Sequence, residues 1–178
     1  NMNGEVCVWS NIPTNETCAG AVSIDVNGPC LATRLHGTSD DGLADATCPT
    51  TGPNNVNNAS GWYSFVAPAD GNVLITATIT SANSYIFPIE VMDACGGAVV
   101  DCEYTFSNPD CTNDVKSLTP CNTYYINIAY QDPFQMPLDI GGGPIVPTFD
   151  LCVTSASSVS CSPPGDAYGV HSPDALGG

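Results

Sequence analysis

The sequence predicts an all-β protein: an antiparallel, jelly-roll-like β-sandwich stapled by disulfides, with an N-terminal and a C-terminal arm. Three observations carry this. Apolar residues recur in short alternating or β-branched runs bounded by Gly, Pro, Asn and Asp, and no long stretch keeps a helical period. Ten cysteines, seventeen glycines and fifteen prolines mark a stapled, turn-rich chain. Hydrophobic residues make up 43% of the 178, enough to bury a core.

Candidate strands fall at residues 6–9, 21–26, 31–35, 61–66, 72–80, 85–92, 98–104, 123–130 and 147–154. In 72–80, Val73, Ile75, Ala77 and Ile79 share one face, with Leu74 and several threonines on the other. In 123–130 the apolar set is Tyr124, Ile126, Ile128 and Tyr130, with Asn127 facing out. A period of two with one buried face is what a two-sheet antiparallel sandwich requires. The polar stretch 37–60 reads as a long loop, 132–147 as a second, and the tail after Val153 is rich in Ser, Pro and Gly. The expected division is an arm at 1–13, a sandwich domain at 14–154 and an arm at 155–178.

Eighteen acidic residues stand against Lys116 and Arg34, a formal net charge of −16. Binding nucleic acid through phosphate neutralisation needs clustered Lys and Arg, so that class is excluded. A polybasic membrane-surface patch is excluded by the same count, and no apolar run is long enough to span a bilayer. The cysteines form no CxxC pair, and His36 and His171 are too few for a zinc site. Ten cysteines at this density indicate five disulfides in an oxidising compartment, hence an extracellular or cell-surface protein. The chain starts at Asn1 without a charged n-region or an apolar h-region, so a removed signal peptide is expected.

Five segments, in chain order, resemble one family. Residues 14–21, Thr-Asn-Glu-Thr-Cys-Ala-Gly-Ala, are similar to an N-D-x-C-x-x-A opening. Residues 61–68, Gly-Trp-Tyr-Ser-Phe-Val-Ala-Pro, followed by Gly71-Asn72-Val73-Leu74-Ile75-Thr76, resemble a D-V-W-Y-S-F strand and its turn. Residues 89–97, with Cys102 as a second cysteine, resemble V-Y-x-G-x-C-G-x-L. Leu118-Thr119-Pro120-Cys121-Asn122-Thr123-Tyr124-Tyr125-Ile126 resembles L-T-P-G-T-T-Y-Y-I, and Phe149-Asp150-Leu151-Cys152-Val153 a closing F-D-x-C-V. Together they resemble the pre-peptidase C-terminal-like β-sandwich modules of secreted Bacteroidota proteins, usually non-catalytic accessories. The chain departs from the pattern at Cys121, where that family has Gly, at the outlying Cys7 and Cys161, and in the length of 132–147. The resemblance implies the pairs Cys95–Cys102, Cys30–Cys48, Cys18–Cys152 and Cys111–Cys121. Cys7 and Cys161 remain, joined to each other or to a neighbouring molecule. Each bridge contributes roughly 2–4 kcal/mol by restricting the unfolded chain. Tyr124 or Tyr125, after Leu118-Thr119-Pro120, resembles a tyrosine corner.

Nothing in the sequence assembles a catalytic set. No G-x-S-x-G elbow occurs, and His36 beside Ser39, Asp40 and Asp41 is an exposed loop histidine rather than a triad member. Glu90 and Asp93 stand at odd spacing and so on opposite strand faces, unsuited to a glycosidase pair. A non-enzyme is expected, with no required cofactor. Asp40, Asp41 and Asp45 offer oxygen ligands to calcium, although EF-hand spacing is missing and a solvated acidic loop is the plainer account. Asn15 and Asn58 head the sequons Asn15-Glu16-Thr17 and Asn58-Ala59-Ser60, glycan acceptors where the host has the machinery.

Two functions fit. The expected one is a structural subunit of an extracellular bacterial filament, a head-to-tail homopolymer. In it the strand-like run with Val6, Val8 and Trp9 completes a neighbour's sheet by β-augmentation. The alternative is a carbohydrate- or surface-binding adhesion module of a larger secreted protein, with surface polysaccharide as partner.

Overall fold

The computed structural model describes residues 14–35, 57–80, 87–105, 110–131 and 148–156. Among the described residues two 3₁₀ turns, Thr14–Glu16 and Cys18–Gly20, lead into nine strands: β1 (Val22–Ser23), β2 (Leu31–Arg34), β3 (Asn57–Val66), β4 (Val73–Ile79), β5 (Phe87–Met92), β6 (Val99–Thr105), β7 (Asp110–Val115), β8 (Thr123–Gln131) and β9 (Thr148–Thr154). They form a five-stranded sheet, β1-β3-β8-β5-β6, packed on a four-stranded sheet, β2-β9-β4-β7. Every ladder is antiparallel except the short β1–β3 pairing. The expected all-β, disulfide-stapled sandwich is what the chain folds into.

The alternation that predicts the strands also fills the core. Val73, Ile75 and Ala77 of β4 turn inward with Phe149, Leu151 and Val153 of β9. They meet Tyr63 and Phe65 of β3, Ile89 and Val91 of β5, and Ile126 and Ile128 of β8. Tyr63 meets Phe149 edge-to-face with centroids 6.4 Å apart, and Phe65 stacks on Tyr124 at 6.0 Å. The Tyr124 hydroxyl accepts the backbone N–H of Thr119 at 2.9 Å, a tyrosine corner as expected from Leu118-Thr119-Pro120. Cys121 has φ +64°, the left-handed region that glycine tolerates best. Its side chain is nonetheless retained in a disulfide.

Where the sequence misleads, the reasons are local. The segment Asp110–Val115 has no apolar run, yet it forms β7 at the edge of the four-stranded sheet. Only Asn113 and Val115 are buried among its described side chains, and Asn113 Nδ2 donates to the Ile89 carbonyl of the opposite sheet at 3.3 Å. The polar stretch 37–60 ends earlier than expected, because β3 begins at Asn57. The run 21–26 yields only two ladder residues. Asn127 is fully buried rather than outward-exposed, because the outer face of the five-stranded sheet is itself covered. There Trp62 packs with Cys18 and Met92 in a second cluster, beside Ala21 and Tyr125. The expected strand at 6–9 lies outside the described residues.

Two disulfides overturn three of the expected pairings. Cys18 bonds Cys95, and Cys30 bonds Cys152. Leu31 pairs with Leu151 across the β2–β9 ladder, so the preceding Cys30 meets Cys152 with Cα atoms 4.5 Å apart. This removes Cys30–Cys48 and Cys18–Cys152. The latter would also have to join the outer faces of two sheets, which pack about 10 Å apart. Cys18 lies across the outer face over Trp62 and reaches Cys95 in the turn after β5. That removes Cys95–Cys102: Cys102 stands inside β6 opposite Glu90, in a disulfide of its own. The pairs Cys111–Cys121 and Cys7–Cys161 are not decided by these two bridges.

Candidate functional site

The two ends of the sandwich differ. At one end the chain turns within residues 24–30, 67–72, 93–98 and 116–122, tied by backbone bonds such as Gly71 N–H to Pro68 O at 3.0 Å and Leu118 N–H to Gly71 O at 2.9 Å. Gly71, at φ +68°, leaves no room for a Cβ against the Leu118 carbonyl. At the other end β2, β4, β6 and β8 finish, and β3, β5, β7 and β9 begin. Binding residues concentrate where several connections leave one end of a rigid scaffold.

An open cleft of about 430 Å³ lies at that second end, on the four-stranded sheet. Its lining is Ala32, Thr33 and Arg34 of β2, Thr80 just after β4, and Thr148, Phe149 and Asp150 of β9. Register explains the grouping. Arg34 is the cross-strand partner of Thr148, and Ala32 of Asp150, so Arg34 and Asp150 are diagonal neighbours. Diagonal positions are roughly 7–8 Å apart, within reach of a long side chain. The Thr80 hydroxyl donates to Thr148 Oγ1 at 2.9 Å, and Thr80 N–H donates to the Thr148 carbonyl at 2.8 Å.

The floor is held from below. Thr33 Oγ1 and the Tyr63 hydroxyl are 3.1 Å apart, joined by a hydrogen bond. Tyr63 is fully buried, and its hydroxyl also bonds the Asn15 side chain. Burial raises the Tyr63 pKa above its ordinary value, and the bonds to Thr33 and Asn15 partly offset that rise. A Cβ on Gly61 would stand 3.2 Å from Asn15 Nδ2, Leu35 Cδ2 and the Tyr63 hydroxyl, a tight fit that these side chains would have to ease by a few tenths of an ångström.

Chemically the cleft is lined by a guanidinium, which only donates, a carboxylate, and hydroxyls that both donate and accept. Arg34 is the chain's only arginine. Lys116 is spent on an exposed pair with Asp114 at 2.7 Å, which raises its pKa through the hydrogen bond and the adjacent charge.

The site residues expected from sequence take other places. Asn15 is buried with its amide against Tyr63, which corrects its assignment as a glycan acceptor: a sugar on Nδ2 would displace that packing. Asn58 falls in β3. Asp40, Asp41 and Asp45, and the arm residues Val6, Val8 and Trp9, lie outside the described residues. Among the described residues no group of three or more His, Cys, Asp or Glu is placed to hold a metal. Trp62 and Tyr63 are both buried, on opposite faces of β3, and give no sugar platform. Glu90 is buried on the outer face of the five-stranded sheet, whereas Asp93 is exposed in the β5–β6 turn, its Oδ1 accepting the Ala98 N–H at 2.8 Å. No helix among the described residues is long and apolar enough to cross a membrane.

No curated protein matches the chain. Among solved structures, a carbohydrate-binding module CBM36 in complex with calcium and xylotriose is 11% identical, with a TM-score of 0.31. That match covers 69% of this chain and 97% of the module. A Paenibacillus sp. cycloisomaltooligosaccharide glucanotransferase complexed with cycloisomaltoheptaose is 13% identical, with a TM-score of 0.30; the match covers 68% of this chain and 17% of the enzyme. Neither likeness is close enough to argue from. A family described as galactose binding domain-like and T9SS-associated matches residues 14–139. The family expected from sequence, the pre-peptidase C-terminal-like one, is not what this match shows; a β-sandwich module of Bacteroidota type is. Together with the disulfides it marks an exported, extracellular or cell-surface protein. The matched span is well over half of the 178 residues, and the chain belongs to the T9SS-associated galactose-binding domain-like family.

Proposed function

We propose that this chain is a non-catalytic carbohydrate-binding module of a larger secreted protein, attaching it to surface polysaccharide through the cleft between β2, β9 and the end of β4. The family match over residues 14–139 is the observation that carries this. The cleft adds a suitable chemistry: a guanidinium, a carboxylate and paired hydroxyls around a shallow depression. Its volume falls within the range of small-molecule sites, about 300–1,000 Å³.

The same proposal takes 14–154 as the binding domain, 1–13 and 155–178 as connecting arms, and a removed signal peptide as the export device. It keeps Asn58 as a glycan acceptor and Asp40, Asp41 and Asp45 as the candidate calcium ligands, following Arg34 closely in sequence. Filament assembly through the arms has no support in the family match or in the described residues.

A glycan array probed with the intact, oxidised chain tests the proposal. Binding to defined oligosaccharides, without release of new reducing ends on prolonged incubation, is the expected outcome. An array with no bound glycan, or cleavage of those that bind, contradicts it.

A further inference from the structure

We infer that residues 1–13 lie across the outer face of the five-stranded sheet of their own chain, fastened to β6 by a bond between Cys7 and Cys102. One cross-strand row runs over that face. Trp62 of β3 pairs with Asn127 of β8, Asn127 with Glu90 of β5, and Glu90 with Cys102 of β6. Trp62, Asn127 and Glu90 are buried, as is the pair Ser60 and Ala129, two residues further from the turn end. An outer sheet face is buried only where chain lies on it. The Cys18 segment packs on Trp62 and Met92, toward the turn end. Ser60 lies outside that cluster, 1% exposed, and its Oγ has no hydrogen-bond partner among the described residues. A buried hydroxyl of this kind needs a partner from the chain that covers it.

Cys102 identifies that chain. Its sulfur is 4.0 Å from Glu90 Oε1, on this face, and is held in a disulfide. Cys18, Cys30, Cys95 and Cys152 are bonded to one another in two pairs. Cys121 lies in the turn before Thr123, and the strand from Thr123 to Asn127 alone runs roughly 13 Å, whereas bonded cysteines need Cα atoms within about 7 Å. Cys111 is the register partner of Ala77 in the other sheet, an inward position, and Cys161 follows the end of β9 in that same sheet. Cys48 is set in the polar run Thr47-Cys48-Pro49-Thr50, which brings little to cover Trp62 and Ala129. Cys7 stands in Val6-Cys7-Val8-Trp9, an apolar run suited to that face. The reach is sufficient. Cys7 precedes Cys18, already on the face, by eleven residues at up to about 3.3 Å each, and three strand spacings from Trp62 to Cys102 come to about 15 Å. Forming the bond removes a proton and an electron from each thiol. Both electrons pass by exchange to a disulfide oxidant of the exporting compartment, which leaves as a dithiol.

The test is peptide mapping of the monomeric, oxidised chain, unreduced and digested with pepsin at acid pH, where thiol exchange is slow. A linked pair of peptides holding Cys7 and Cys102 is expected. In the isotope-labelled chain, nuclear Overhauser contacts from residues 6–9 to Ser60, Trp62 or Ala129 are expected with it. Cys102 linked to Cys48, Cys111 or Cys161 overturns the inference. So does a Cys7–Cys102 pair found only in covalent oligomers, which gives the face to a second copy. A Cys7–Cys102 bond without those contacts overturns the docking of the arm on this face.

Discussion

The Tyr63 hydroxyl and Thr33 Oγ1, 3.1 Å apart, join a fully buried core aromatic to the floor of the candidate binding cleft. The inner ring packs edge-on against Phe149, itself a cleft residue. One side chain therefore serves the inter-sheet core and the site together.

Tyr63→Phe keeps the ring packing and removes the hydroxyl shared by Thr33 and Asn15. It should destabilise the fold by about 1–3 kcal/mol, since buried polar partners lose a bond. Urea denaturation measures this. Glycan affinity should fall by a smaller factor than in an Arg34→Gln variant, because Thr33 loses its anchor but stays in place. An unchanged urea midpoint would mean that the network contributes nothing to stability.

Alkaline pH should act through the same residue. Burial raises the folded-state pKa of Tyr63, while the unfolded side chain titrates near its ordinary value of about 10. Above that pH the unfolded chain has released a proton that the folded chain still holds, so stability falls as pH rises. Below it the contribution is fully present. Denaturation midpoints measured from neutral pH to beyond the tyrosine range should decline for the wild type. The decline should be shallower for Tyr63→Phe.

The bridge Cys30–Cys152 closes a long stretch of chain, with a sequence separation of 122. On chain-entropy grounds its removal in a Cys30→Ala, Cys152→Ala double variant should cost about 4–5 kcal/mol. Mass spectrometry of the non-reduced protein checks the connectivity first. With only Lys116 and Arg34 as tryptic sites, pepsin or an Asp-directed protease is needed. Linked peptides containing Cys18 with Cys95 and Cys30 with Cys152 are expected.

Cys121 separates backbone strain from cross-linking. Cys121→Gly and Cys121→Ala both lose the bridge, but only glycine suits φ +64° without a Cβ penalty. The glycine variant should be the more stable by about 1 kcal/mol. Equal stability would mean that the turn relaxes once the disulfide is gone.

The most legible parts of the sequence were the strands whose inward residues are consistently apolar: Val73, Ile75 and Ala77 in β4, and Phe149, Leu151 and Val153 in β9. Strand β7 was hidden because an edge strand needs few inward apolar residues, and here Asn113 bonds across the core instead. The outward set on β8 was misjudged at Asn127, since no pattern in 123–130 tells that the Cys18 segment covers Trp62 on the same face. Disulfide partners depend on which strands become neighbours: Cys152 lies opposite Cys30 only once β2 pairs with β9. The cleft was hidden for the same reason. Thr33, Arg34, Thr148 and Asp150 are ordinary strand residues until register brings them together. The one signal available was the chain's only arginine, placed at a strand end before a long connection.

The most direct measurement is a two-dimensional NMR titration of the isotope-labelled, oxidised chain with the oligosaccharide that binds best. Carbohydrate binding at the cleft predicts that the largest amide shifts fall on Ala32–Arg34, Thr80 and Thr148–Asp150, fading toward the turn end at Gly71 and Leu118. Shifts centred instead on the outer face of the five-stranded sheet, or none at saturating sugar, would contradict it.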